Sequence, residues 1–228
     1  MPTCLITGAN RGLGLEFARQ YAADGWDVIA TSRSLVYADD LKSIEGKVEL
    51  HALDVTDFAR VEALGQSLRD RPIDVLINNA GVHGDPTEAA FDDLDYRTWA
   101  EVMRINVMAP LKMSAVFVEQ VAKSRQKRIA TLSSKMGSMG ENTSGGTYIY
   151  RSSKAALNAV MRSLALDLKS RGIALVILHP GWVRTDMGGP HGLLDPPESI
   201  SGMRRVIAEL NVENTGRFVN YDGSEVPW

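Results

Sequence analysis

The chain has 228 residues, of which 44% are hydrophobic and 23% charged, and its formal net charge is -3. These values are typical of a globular domain with a sizeable core, and they exclude a coiled coil, a collagen-like repeat and a disordered chain. The charge balance also argues against nucleic acid as a partner, because it lacks the basic excess that a phosphate backbone attracts.

The cysteine usage and the first residues favour a cytoplasmic protein. The single cysteine, Cys4, excludes an internal disulfide framework and fits a reducing compartment. The segment Met1–Ile6 lacks the basic start of a signal peptide, and no apolar run is long enough for a membrane span. We therefore expect a cytoplasmic location and no integral membrane contact.

Short apolar segments alternate with helical patterns from one end of the chain to the other. The segments predicted as strands are Cys4–Thr7, Val28–Thr31, Val48–Leu53, Val75–Ile77, Ile129–Leu132, Ile173–Leu178 and the less regular Arg217–Asn220. The longest predicted helices are Tyr96–Ala122 and Tyr148–Lys169, and the loosest stretches are Lys135–Gly146 and Gly188–Ser201. Repeated strand–helix units predict a doubly wound, Rossmann-type α/β fold. We expect a single domain, 1–228, with a mostly parallel seven-stranded sheet, helices on both faces and ligands at the carboxyl ends of the strands.

The first strand leads into a glycine-rich turn and a helix, with the sequence Thr7-Gly8-Ala9-Asn10-Arg11-Gly12-Leu13-Gly14. Glycines let the backbone approach a pyrophosphate closely, and free N–H groups at a helix start attract its charge, although an ordinary strand–helix turn can look the same. The spacing is not the common G-x-G-x-x-G pattern and resembles the T-G-x-x-x-G-x-G signature of the short-chain dehydrogenase/reductase family. The resemblance implies a dinucleotide cofactor held by Gly8, Asn10, Arg11, Gly12, Leu13 and Gly14.

The ends of the second and third strands carry the next candidate cofactor residues. NAD enzymes commonly place an acid after the second strand, whereas an arginine there accommodates the 2′-phosphate of NADP. Here Arg33 follows the strand, no acid occurs before Asp39, and Arg11 adds a second cation. The sequence therefore favours NADP(H) and leaves NAD(H) possible, unless both arginines are solvated surface charges. Asp54 either caps the following helix or, as the resemblance implies, contacts the adenine amino group beside Val55; one carboxylate can serve both roles.

The fourth strand is followed by Asn78-Asn79-Ala80-Gly81, and then by His83. Such a turn can merely end a strand, but the family resemblance implies that it stabilises the central sheet and that Asn79, Ala80 and Gly81 lie beside the cofactor. His83 is interpreted as a surface-loop histidine, with a place in the substrate cleft as the alternative.

Asn106 falls inside the long predicted helix Tyr96–Ala122, four residues before Pro110. Proline has no N–H to donate to the Asn106 carbonyl, so we expect a bend there and a carbonyl free to hold water. A polar residue satisfied at a helix bend is the alternative. The resemblance implies that Asn106 anchors the water of a proton relay.

The most specific pattern is Tyr150-Arg151-Ser152-Ser153-Lys154, which follows Ser134 at the end of the fifth strand. The i,i+4 spacing puts the Tyr150 phenol and the Lys154 ammonium on one helix face. We expect the ammonium to lower the tyrosine pKa, which is ordinarily about 10, toward the operating range. Ser134 would polarise a carbonyl and Tyr150 would protonate it, while Ser133 points to the other side of the strand. The resemblance implies that Lys154 also binds the nicotinamide ribose.

The sixth strand is followed by Pro180 and Gly181, which form a simple turn or, as the resemblance implies, orient the nicotinamide. The resemblance also assigns the carboxamide to the Val183 backbone and to Thr185. The four histidines are scattered and no H-E-x-x-H occurs, so a metal site is not expected.

Within the family, the segments His179–Pro190, Tyr148–Asn158 and Tyr221–Trp228 resemble most the branch of sniffer-type carbonyl reductases and bacterial C-factor signalling proteins. The resemblance implies an NADP(H)-dependent reductase of aldehydes or ketones, with small carbonyl and alcohol compounds as partners. The alternative is a C-factor-like signalling protein that binds NAD(P) and needs little turnover.

Two further expectations concern partners. An acyl-carrier-protein reductase ranks third, because the basic cluster Arg125, Lys127 and Arg128 precedes the fifth strand, at the wrong end of the sheet. The helix Tyr148–Lys169 is apolar on more than one stripe, which favours a second buried contact. The family resemblance implies a homodimer through this helix and Tyr96–Ala122, with a tetramer as the larger assembly. A monomer in which the second helix covers the extra stripe is the alternative.

Overall fold

A single twisted sheet forms the centre of the protein. The computed structural model describes residues 1–36, 38–85 and 91–228, and within these residues seven parallel strands run in the order β3-β2-β1-β4-β5-β6-β7. The strands are β1 Thr3–Ile6, β2 Asp27–Ser32, β3 Val48–Ala52, β4 Val75–Asn78, β5 Arg128–Leu132, β6 Ala174–His179 and β7 Phe218–Asn220. Because the strand order reverses between β1 and β4, a crevice opens at their carboxyl ends. The predicted doubly wound fold is confirmed.

Helices cover both faces of this sheet. In the described part of the chain they are α1 Gly12–Ala23, α2 Asp39–Lys42, α3 Phe58–Ser67, α4 Tyr96–Met103, α5 Ala109–Ala122, α6 Tyr148–Lys169 and α7 Pro196–Ala208. Successive strand side chains point to opposite faces, so Cys4 and Ile6 join the core under α1 and α7, while Leu5 joins the core under α3, α5 and α6. None of the helices within the described ranges is long and apolar enough to cross a bilayer.

The predicted helix Tyr96–Ala122 is interrupted in the structure. Residues Arg104–Met108 form a π-turn between α4 and α5, and the Ala109 N–H donates to the carbonyl of Arg104, five residues back. Pro110 is the physical cause, because it cannot supply the regular bond to residue 106. The interruption expected at Asn106 therefore takes the form of a π-turn.

The prediction of a loose stretch at Gly188–Ser201 is wrong in its second half, because α7 begins at Pro196. Pro196 and Pro197 occupy the first turn of the helix, where a missing N–H costs nothing. The prolines that suggested a loop in fact start a helix.

Candidate active site

The glycine-rich turn is shaped by close backbone approach. Gly12 has φ +53°, a conformation that other residues avoid. A Cβ on Gly14 would overlap the carbonyl oxygen of Gly8 and crowd the side-chain amide of Asn79. Glycine at these positions therefore lets α1 start directly against the end of β4.

The residues after β4 fasten this turn to the sheet. The Asn79 Nδ2 donates to the carbonyls of Thr7 and Gly8 at 2.8 and 3.0 Å, and the Ala80 N–H donates to the Thr7 hydroxyl at 3.0 Å. The buried Asn78 Nδ2 donates to Ser114 Oγ at 3.0 Å. The two asparagines thus hold the crevice between β1 and β4 in one shape.

The start of α1 is built to accept a negative group. Its N-cap residue, Arg11, makes no side-chain hydrogen bond to the first turn, so this cap leaves the first N–H groups of the helix to another acceptor. A Cβ on Gly12 would lie 3.7 Å from Thr185 Cγ2, in the gap between the turn and the segment after β6. This cradle, which a side chain would fill, fits the pyrophosphate of a dinucleotide.

The two predicted cations lie on the rim of the crevice. Arg11 pairs with Asp186 at 2.8 Å, and both side chains are largely exposed, at 68% and 76%. Arg33 directly follows β2 and is also exposed. Exposed guanidinium groups of this kind are free to turn toward a phosphate.

The capping role considered for Asp54 is wrong. Asp57 is the N-cap of α3 and accepts from the Arg60 N–H at 3.1 Å, whereas Asp54 accepts from the N–H and hydroxyl of Thr56 at 2.9 and 2.7 Å. Partial burial acts to raise the pKa of Asp54, but the Thr56 hydrogen bonds and the charge of Arg33 hold it below its usual range. The carboxylate is ionised and lies at the end of β3 beside the buried Val55.

Ser134, Tyr150 and Lys154 are all buried at the carboxyl end of β5, with exposed fractions of 8%, 8% and 5%. Lys154 Nζ lies 5.6 Å from the centroid of the Tyr150 ring and donates to the Leu132 carbonyl at 2.9 Å. Ser133 is turned away, as predicted, and donates to Asn158 Oδ1 at 2.6 Å.

The electrostatics of this group differ from the prediction. Burial raises the pKa of Tyr150 to about 12, and its interaction with the Ser134 hydroxyl offsets only part of that shift. Burial also lowers the pKa of Lys154 to about 8. The expected lowering of the tyrosine pKa by Lys154 is wrong for this structure, because burial disfavours both charged forms and the ammonium donates to Leu132 instead. The phenol therefore keeps its proton at neutral pH.

Asn106 lies beside this group inside the π-turn, almost completely buried. Its Oδ1 accepts from the Val82 N–H at 2.9 Å, and its Nδ2 donates to the Val82 carbonyl at 2.8 Å and to Ser153 Oγ at 3.0 Å. A Cβ on Gly81 would lie 3.3 Å from Asn106 Oδ1 and 3.6 Å from Lys154 Nζ. Gly81 is thus the point where the crevice meets the buried group.

The segment after β6 returns to the glycine turn and closes the other side of the crevice. Val183 is buried, and Thr185 Oγ1 accepts from the Gly188 N–H at 3.1 Å. Pro180 and Gly181 precede them at the end of β6. The predicted residues thus lie at or just after the carboxyl ends of neighbouring parallel strands, and the partly buried side chain of Leu13 packs against the core under α1.

Two residues of the site were missed or misread from the sequence. His83 is half-buried and stacks on Tyr150, with ring centroids 4.7 Å apart and planes 21° apart, so the surface-loop interpretation is wrong. Asp85 accepts from the backbone N–H groups of Ile149 and Tyr150 at 3.0 and 2.7 Å. No local pattern signals either contact, because each joins residues more than sixty positions apart.

Large apolar side chains are exposed on the two loops that flank the site. Four of them lie after β5 or after β6: Met139, Trp182, Met187 and Leu193. Trp182 is fixed by a bond from its indole N–H to the Gly188 carbonyl at 2.7 Å. Within the described residues no group of three or more His, Cys, Asp or Glu side chains is placed to hold a metal ion.

Comparison with known proteins finds a matching family model, related sequences and similar solved structures. The family model described as short chain dehydrogenase matches residues 2–192. The C-signal protein of Myxococcus xanthus is 49% identical over 157 residues, which are 69% of this chain and 93% of that relative. The solved carbonyl reductase Sniffer of D. melanogaster covers 100% of both chains, with a TM-score of 0.91 and 33% identity. The NADPH-bound carbonyl reductase from chicken fatty liver covers 100% of this chain and 99% of its own, with a TM-score of 0.89 and 32% identity.

Proposed function

The chain belongs to the short-chain dehydrogenase family, and from this membership we propose that it is an NADP(H)-dependent oxidoreductase that reduces an aldehyde or ketone to an alcohol. One observation carries the proposal. The hydroxyls of Ser134 and Tyr150 are buried side by side with Lys154, at the point where Gly81 joins them to the dinucleotide crevice. A module that only binds a nucleotide needs no such group.

In the proposed reaction each of these side chains has a separate task. A reduced nicotinamide, when bound, supplies the hydride. Ser134 donates a hydrogen bond to the carbonyl oxygen and stabilises the negative charge that develops there. Tyr150, whose pKa is raised to about 12, gives its proton to the same oxygen.

Lys154 and Asn106 would serve the proton supply and the cofactor. Lys154 Nζ faces Gly81 and can hydrogen-bond the hydroxyls of a nicotinamide ribose. The Asn106 carbonyl has no donor at Pro110 and can accept from a water that leads toward Lys154. This relay would return a proton to Tyr150 after each turnover.

Specificity for NADP(H) is proposed on the basis of the rim cations. Arg33 directly follows β2, the position at which an arginine commonly accommodates a 2′-phosphate, and Arg11 in the glycine turn adds a second exposed cation. We assign the remaining cofactor contacts to the strand ends: Gly8, Asn10, Gly12, Leu13, Gly14, Asp54, Val55, Asn79, Ala80, Gly81, Pro180, Gly181, Val183 and Thr185. The NADPH in the chicken relative supports the same choice; NAD(H) is the alternative.

The identity with the C-signal protein supports a second candidate function, a signalling role that requires little turnover. The acyl-carrier-protein reductase hypothesis ranks third. A 3-oxoacyl-[acyl-carrier-protein] reductase of Escherichia coli is 34% identical over 188 residues, but Arg128 begins β5, so the basic cluster lies at the amino end of that strand, away from the site. A screen of aldehydes, ketones and quinones, with NADPH oxidation as the readout, separates the two candidates. Turnover of at least one class that Tyr150→Phe abolishes supports the reductase, and binding of NADPH without turnover of any class supports signalling.

We further propose a homodimer, or a tetramer built from such dimers, through α5 and α6. On α6, Ala156, Val160 and Leu164 already pack against the core, so part of the second apolar stripe is covered within the chain. Leu166 on α6 and Leu111 on α5 are 55% and 39% exposed, and a second copy can bury them. The single buried thiol, Cys4, supports a cytoplasmic location.

A further inference from the structure

The helix that carries Tyr150 begins without a cap of its own. Thr147, its N-cap residue, has φ +51° and makes no side-chain hydrogen bond to the first turn. The first N–H groups of a helix have no partner within the helix and need one from elsewhere. In a buried site an unmet donor is costly.

Asp85 supplies the missing cap from a distant part of the chain. One carboxylate oxygen accepts from the Ile149 N–H at 3.0 Å and the other from the Tyr150 N–H at 2.7 Å. A carboxylate also interacts favourably with the positive end of the helix dipole. The second bond ends on the backbone of the residue to which the proposed function assigns the proton transfer.

The four residues before Asp85 are each held against the same site. Gly81 lies beside Lys154, and both backbone groups of Val82 bond to the Asn106 side chain. His83 stacks on Tyr150, and a Cβ on Gly84 would overlap Val102. Residues 81–85 therefore form one strap from the cofactor crevice to the first turn of α6, and Asp85 is its last attachment.

We propose that Asp85 is a positioning residue, whose carboxylate fastens this strap to the start of α6 and thereby holds the Tyr150 ring between His83 and the Ser134 hydroxyl. The inference rests on the proposed function for its effect on catalysis, but not for its effect on the position of the ring. Without the carboxylate, the first turn of α6 loses two hydrogen bonds. The strap of residues 81–85 then loses its attachment to the helix. The phenol then leaves the narrow range of positions from which it can reach a substrate oxygen.

The test compares Asp85→Ala with Asp95→Ala. Asp95 is also a loop aspartate that caps a helix: it is the N-cap of α4 and accepts from the Arg97 N–H at 2.9 Å and the Thr98 hydroxyl at 2.8 Å. Both variants should lower the melting temperature. Only Asp85→Ala should lower kcat, by about ten- to a hundredfold, with the KM for NADPH changed by less than about twofold. Asp85→Asn keeps one acceptor oxygen, so its kcat should lie between that of Asp85→Ala and that of the unchanged protein.

A second readout does not depend on turnover. The chain has four histidines, so the ring resonances of His83 can be assigned in an NMR spectrum by comparison with His83→Gln. The ring current of Tyr150 should shift them in the unchanged protein and in Asp95→Ala, and the shift should disappear in Asp85→Ala. If the unchanged protein reduces no carbonyl compound, the proposed function is wrong. The NMR shift of His83 still tests whether Asp85 holds the Tyr150 ring in place. An unaltered His83 signal and an unaltered kcat in Asp85→Ala would overturn the proposal; if that variant does not fold, Asp85→Asn is read by the same two criteria.

Discussion

The crevice proposed to hold the cofactor and the buried group proposed to be catalytic are built in contrasting ways. The crevice consists of local turns at strand ends, and its charged side chains, Arg11 and Arg33, are exposed on the rim. The catalytic group is nine-tenths buried and is assembled from β5, α6, the π-turn and the strap of residues 81–85. Exposed charges are screened by water and can be replaced at modest cost, whereas buried groups act at close range in a low dielectric. Single substitutions should therefore have their largest effects in the buried group.

The largest effect is expected from Tyr150→Phe. This change removes the proton donor while it keeps the ring that stacks on His83, so turnover should fall by about a hundredfold or more and NADPH binding should persist. Steady-state rates and NADPH titration by fluorescence measure the two quantities. The control is Tyr148→Phe, which alters an exposed tyrosine two residues away and should leave turnover unchanged. Equal losses in both variants would remove Tyr150 from its assigned role.

A smaller effect is expected from Arg33→Ala, on the rim of the crevice. Loss of one charge-assisted contact to a 2′-phosphate should weaken NADPH binding by about ten- to a hundredfold, with little change for NADH. Dissociation constants for both cofactors measure the difference. Arg19→Ala removes an exposed arginine of α1 that is paired only with Glu16 at 3.9 Å, and it serves as the control. If Arg33→Ala weakens the binding of both cofactors equally, Arg33 stabilises the fold and does not bind the 2′-phosphate.

The pH dependence tests the electrostatics of the buried group. Burial lowers the pKa of Lys154 to about 8 and raises that of Tyr150 to about 12. Lys154 thus loses its charge as the pH rises through about 8, while Tyr150 remains protonated. If the charged lysine holds the ribose, kcat/KM for NADPH should be level below about pH 8 and fall about tenfold per pH unit above it. A profile that stays level up to about pH 10, the ordinary pKa range of lysine, would show that the pKa of Lys154 is not lowered in the protein that binds NADPH.

The smallest effect on turnover is expected at the proposed interface, whose exposed leucines belong neither to the crevice nor to the buried group. Leu166→Asp places a charge on the exposed stripe of α6 and should split a dimer into single chains with turnover changed by less than about twofold. Light scattering at micromolar concentration measures the mass. A value near the 24.9 kDa of one chain for the unchanged protein, at every dilution, would contradict the homodimer.

The fold and the crevice could be predicted because their signals are local. The seven strands of the described residues lie within two residues of their predicted ends. The central strands were the clearest, since parallel strands buried on both faces read as continuous apolar runs. The helix Tyr148–Lys169 has the predicted bounds. An interruption of the helix near Asn106 could be predicted from the chemistry of Pro110, although its form, a π-turn, could not.

The tertiary structure decided what depends on burial and on distant partners. Asp57 and not Asp54 caps α3, because the chain makes a turn from Asp54 to Asp57 before the helix begins at Phe58. Prolines that suggested a loop became the start of α7, since the missing N–H of a proline costs nothing in the first turn of a helix.

The structure differs most from the sequence-based prediction in the buried group that contains Tyr150 and Lys154. Residue spacing alone determined that Tyr150 and Lys154 share one helix face, but the direction of their pKa shifts depends on burial, which spacing does not report. His83 and Asp85 reach the first turn of α6 only because β4 and β5 are neighbours in the sheet. The sequence thus determined which chemical groups the site contains, and the packing of the sheet decided how they are charged and what holds them in place, because desolvation and long-range contacts arise only once the chain has folded.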